Sequence, residues 1–155
     1  MADRNVFTAA LLTAVLVVAG AFALPQFFFF ELAKSTIYVA IALLVFFGEN
    51  QFSYMLGIIA PVVWFIVDIL GGIFFRDFRV LFDYVSGNKV APLETPLHAI
   101  ARLMAILLMI GSIRAWKREV PERFIAKTFW ICCAVSLTYA VILAAWHFHI
   151  VRAAS

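Results

Sequence analysis

Five apolar runs account for most of this chain, at residues 6–24, 26–47, 52–75, 96–113 and 128–151. A helix rises 1.5 Å per residue, so about 20 residues match a hydrocarbon core ~30 Å thick. A backbone crossing that core must satisfy its own hydrogen bonds, which leaves the helix as the form open to runs of this length. The expected fold class is therefore all-α. It is a polytopic membrane protein, a bundle of five transmembrane helices forming a single transmembrane domain over residues 1–155. Composition agrees, with 66% of residues hydrophobic and 14% charged. A soluble domain has about 45–50% apolar and about 25% charged residues.

The breaks between runs set the order of the bundle. Gly48-Glu49-Asn50-Gln51 is short enough to make the second and third runs an antiparallel hairpin. Pro61 inside the third run removes a backbone donor and frees a carbonyl. In the longest connection, Phe78, Leu81, Phe82 and Val85 repeat at i, i+3, i+4, i+7, with Arg76, Asp77, Arg79 and Asp83 on the polar side. This spacing predicts a short interfacial helix at 77–86, between the third and fourth spans. The Ala21-Phe22-Ala23 segment resembles a signal-peptidase site, but the run before it is longer than the usual signal core. The reading is an uncleaved first span, and four spans is the alternative. Cys132 and Cys133 are adjacent in the last run and read as small apolar helix residues.

With five spans, Arg4, Arg114, Lys117, Arg118, Arg123 and Lys127 share one side of the membrane. The other side receives Arg76, Arg79, Lys89 and Arg152, plus Lys34 and Arg102 if those two are not within spans. Basic residues favour the cytoplasmic side, so the N-terminus is expected inside and the C-terminus outside a bacterial-type cytoplasmic membrane.

Ionisable residues inside apolar runs are costly and mark candidate sites. Alternating the spans places Glu31 and Lys34, Asp68, His98 and Arg102, and His147 and His149 in the same leaflet, the one away from the N-terminus. Helical phase puts Asp68 on a stripe with Gly57, Pro61 and Trp64. His98 and Arg102 share one with Ala105, Met109 and Ser112, and His147 shares one with Ser136, Ala140 and Ala144. His149 points away from that stripe. Glu31 and Lys34, three residues apart, share a face and can pair.

The candidate constellation is thus Asp68, Arg102, His98 and His147, with Glu31 and Lys34 at its rim. Several chemistries suit it. Asp68 and Arg102 can pair in low dielectric, and a carboxylate beside histidines can pass protons. Asp68, His98 and His147 could ligate a transition metal, and two histidines on separate helices could hold a haem. No motif spacing assigns a metal or any cofactor. The competing reading is structural: groups near a span end reach for the headgroups, or knit the helices together.

The expected function is a small transporter or a subunit of a membrane transport or energy-coupling complex, with a polar site in one leaflet. The alternatives are a structural or assembly subunit without chemistry, and a membrane enzyme acting on a lipid or quinone. A chain this short encloses little volume, so beside the bilayer its expected partner is a second copy or a larger membrane complex. The basic residues cluster at span ends rather than in a surface for nucleic acid.

Overall fold

The computed structural model describes residues 4–23, 25, 28–88, 95–121 and 123–154, with the side chains of 147, 148 and 150–154 outside the description. It is all helical: α1 (Arg4–Ala23), α2 (Phe28–Phe46), α3 (Asn50–Leu70), α4 (Ile73–Val85), α5 (Leu97–Glu119) and α6 (Lys127–Ala154). Five of these, all but α4, contain stretches long and apolar enough to cross a membrane.

Helix α3 is the hub. It packs against α2, α4, α5 and α6, while α1 lies against α2 and α5. Among the described residues α1 and α6 do not meet; they flank the α2, α3 and α5 layer. Tyr54 and Met55 of α3, Ile41 and Val45 of α2, Leu108 of α5 and Val6 of α1 are buried at the centre. Small residues set how closely the helices approach. Ala10, Ala14 and Ala21 on α1, and Ala101, Ala105 and Ala115 on α5, are buried at helical spacing. Tyr139 of α6 donates to the Ala33 carbonyl of α2, and its hydroxyl also lies 2.6 Å from Thr36 Oγ1.

Two turns depend on glycine. Gly48 (φ 82°) closes the α2–α3 hairpin, and Gly72 (φ 69°) reverses the chain between α3 and α4. Both lie in the left-handed region, where a side chain is strained. The second turn corrects two expectations. The apolar run was expected to continue as one helix to residue 75. Instead α3 stops at Leu70, and Ile73, Phe74 and Phe75 open α4. The expected interfacial helix at 77–86 is not borne out in that form either. Helix α4 begins at Ile73 and buries Asp77, from the side read as polar, together with Val80. The left-handed turn at Gly72 sets this start, and it carries Asp77 to Arg102, as described below.

Pro61 sits fully buried inside α3, which continues through it. The carbonyl it deprives of a helical donor is that of Gly57, four residues back. Ser112 of α5 packs directly onto Gly57: a Cβ there would strike Ser112 Oγ at less than any real contact distance. Gly57→Ala should therefore push α3 and α5 apart and cost about 1–3 kcal/mol. Ser112→Ala removes the atom struck, and Ser112 Oγ has no hydrogen-bond partner among the described residues. The double variant should recover part of the loss. Thermal unfolding in detergent measures both, and an unchanged melting temperature for Gly57→Ala would contradict the close approach.

Candidate functional site

Arg102 stands in the second turn of α5, Asp68 in the last turn of α3, and Asp77 in the second turn of α4. The chain reversal at Gly72 brings the two carboxylates to one guanidinium. Arg102 Nε and Nη2 donate to Asp68 Oδ2 at 3.0 and 2.8 Å, and Nη1 donates to Asp77 Oδ2. The three side chains are 7%, 6% and 9% exposed. The ring of Phe74 lies 5.9 Å from the guanidinium carbon, so α4 supplies an aromatic face as well as a carboxylate. Arginine fits this role because its planar fork offers several donors in fixed directions and stacks on rings.

Asp77 was not among the residues singled out by sequence. Its neighbours Arg76, Arg79 and Asp83 gave the segment the look of a solvated face. The signal that could have found it is the Gly71-Gly72 pair, which lets the chain fold back so that Asp77 returns to Asp68. Arg76 Nε also lies 3.7 Å from Asp77 Oδ1, but from a largely exposed position.

Beside the Asp68–Arg102 pair is a cavity of about 30 Å³, lined among others by Thr13, Glu31, Lys34, Tyr38, Trp64, Asp68, His98 and Arg102. A water needs about 10–15 Å³ measured this way, so the cavity has room for one or two. Five of the six sequence candidates therefore line one space. The sixth, His147, has its side chain outside the described residues, and His149 is exposed.

The lining groups differ in how much of their bonding capacity is used. Lys34 Nζ sits 5.1 Å from the centre of the Trp64 ring. Asp68 is committed to Arg102. Glu31 is 8% exposed, yet its Oε2 has no hydrogen-bond partner among the described residues. The same holds for the buried His98 Nε2. His98 can occupy this position because α1 presents Gly20 to it: a Cβ at Gly20 would lie 2.9 Å from Nε2. Three carboxylates (Glu31, Asp68, Asp77) thus gather around two fixed cations (Lys34, Arg102).

At the opposite end of the bundle, Glu119 Oε2 accepts from Tyr54 at 2.6 Å and from Asn50 at 3.5 Å, which fastens the start of α3 to the end of α5. Among the described residues no group of three or more His, Cys, Asp or Glu is disposed to hold a metal ion.

Fold and site together describe a bundle with five candidate membrane helices and a water-sized cavity lined by charged side chains near one end. No protein-family model, curated protein or solved structure matches the chain.

Proposed function

We propose that this chain is an integral membrane protein crossing the bilayer five times, and that the cavity beside Arg102 passes protons. It would do so as a small transporter or as a proton-handling subunit of a larger energy-coupling complex. Support for the bilayer comes from the outer faces. Leu11 and Val15 of α1, Leu43 of α2, Ile66 of α3, Leu107 of α5, and Val135, Val141 and Ile142 of α6 are all exposed. Apolar surface on every long helix would be a liability in water and is matched by lipid tails. Phe29, Phe46, Phe47 and Trp130, near helix ends, suit the headgroup level.

The observation that carries the proton reading is the pair of buried, unpartnered atoms on one water-sized cavity, Glu31 Oε2 and His98 Nε2. Buried polar groups normally find partners, and an orphan in a polar cavity with room for water is placed to exchange a proton through that water. The size of the space argues against an organic substrate. A lipid or quinone headgroup needs far more than about 30 Å³.

Orientation follows the basic residues, with Arg4, Arg114, Lys117 and Arg118 inside. The cavity then lies in the outer leaflet. The test is proton flux into liposomes reconstituted with the purified chain, driven by a potassium diffusion potential and read by an internal pH dye. Flux well above protein-free liposomes is expected. Flux equal to theirs, with correctly inserted protein, would overturn the proton reading for the chain acting alone. Flux that appears only after a partner is added would place it in a complex.

A further inference from the structure

The second large feature of the surface lies at the other end of the bundle, away from the charged cavity. A groove of about 600 Å³ runs between α1 and α5. One end carries Arg4, Arg114 and Arg118 beside Asn5 and Thr8; beyond them the walls are apolar, with Leu12, Met104 and Leu107 among them. The helices run in opposite directions, so the first turn of α1 meets the last turns of α5, and the three arginines converge. From Arg4 to Leu12 the groove follows α1 for about 12 Å, and from Arg118 to Met104 it follows α5 for about 21 Å.

We propose that this groove binds one anionic glycerophospholipid, with its phosphate on Arg4 and Arg114 and an acyl chain lying along Leu12, Leu107 and Met104. The argument is charge complementarity joined to direction. A basic cluster at a span end followed by an apolar channel parallel to the helix axis repeats the layout of a lipid standing in a leaflet. Arginine is suited to the phosphate because two N–H groups can meet two oxygens. Arg118 bonds Glu119 Oε1 at 2.6 Å, so the site is assigned to Arg4 and Arg114, with Arg118 at its edge. Leu12 and Leu107 are about half exposed, which leaves apolar surface for a chain to cover. Basic groups on the cytoplasmic side face the leaflet that attracts them to anionic lipid. The proposal rests on the bilayer reading above and is independent of the proton cavity.

The test uses the full chain in nanodiscs of phosphatidylcholine, with or without phosphatidylglycerol, followed by extraction into mild detergent and mass spectrometry of the intact complex. Phosphatidylglycerol should remain bound in preference to phosphatidylcholine and should raise the melting temperature. Arg4→Gln/Arg114→Gln should reduce retention about tenfold or more, as expected when charged hydrogen bonds are lost. Leu107→Trp should fill the apolar half and displace the lipid without touching the arginines, so it decides the matter if the arginine variant folds poorly. Equal retention of the two lipids, unchanged retention in both variants, or the same thermal stabilisation by inorganic phosphate alone would overturn the proposal. Release of the chain from membranes by alkaline carbonate would be a separate failure, that of the bilayer reading itself.

Discussion

Arg102→Leu is expected to cost about 3–5 kcal/mol, the largest loss from any single substitution considered for this chain. The guanidinium is the only group among the described residues that bonds both Asp68 and Asp77. Removing it leaves two buried carboxylates facing each other, with the largely exposed Arg76, 3.7 Å from Asp77 Oδ1, as the cation beside them. Both would lack the partners that their burial requires. Arg102→Lys keeps the charge but not the fork, so it can serve one carboxylate well and not both; an intermediate loss is expected. The informative variant is the triple one, Arg102→Leu with Asp68→Asn and Asp77→Asn. It removes the charges of all three bonded partners together and should be more stable than Arg102→Leu alone. Unfolding in detergent, followed by tryptophan fluorescence, measures the series. If Arg102→Leu unfolds like the wild type, the cluster is not buried as described. If the triple variant is no better than the single one, the loss comes from packing against Phe74 and not from stranded charge.

The apolar runs were enough to read the long helices, because a bilayer-length stretch without breaks leaves the backbone one form to adopt. That the polar groups gather at one end of the bundle followed from alternation alone. Glu31 and Lys34 early in α2, Asp68 late in α3, and His98 and Arg102 early in α5 line one cavity. Their helical phase was legible too, since Asp68 shares its stripe with Gly57, Pro61 and Trp64, and those residues face inward.

What could not be read was the course of the chain after Leu70. Ile73, Phe74 and Phe75 are as apolar as the residues before them, so hydropathy carries straight across the Gly71-Gly72 break. Only backbone geometry at Gly72 ends the helix. Everything that α4 contributes was hidden behind that break, including Asp77 and Phe74. The spacing of Phe78, Leu81, Phe82 and Val85 made the segment look like a surface helix with Arg76, Asp77, Arg79 and Asp83 all on its solvated side, and Arg79 and Asp83 do lie 3.9 Å apart there. Asp77 is distinguished from Asp83 by its contact with a residue 25 positions away, which no local pattern encodes. The unpartnered state of Glu31 and His98 was equally invisible. It depends on Asp68 being bound to Arg102, and on the space that Gly20 leaves for the imidazole.

That division of labour within the cluster yields the second large prediction. Asp68 and Asp77 hold Arg102, and a carboxylate so engaged is poorly placed to give up or accept a proton. Glu31 and His98 keep unused bonding capacity on the same water-sized space. The proton path should therefore depend on Glu31 and His98, with Asp68 acting through the shape of the site. Glu31→Gln preserves volume and removes the ability to carry a proton, and His98→Gln does the same for the imidazole. Each should lower proton flux in proteoliposomes by about a hundredfold or more, the scale on which a positioned acid or base contributes to proton transfer. Neither should shift the melting temperature much, because the described residues make no hydrogen bond to Glu31 Oε2 or His98 Nε2 that would be lost. Asp68→Asn should behave in the opposite sense, lowering stability markedly while any surviving folded protein still conducts. Wild-type flux in both Glu31→Gln and His98→Gln would remove these residues from the path. Flux lost in step with melting temperature across all three variants would reduce the cluster to a structural tie between α2, α3, α4 and α5.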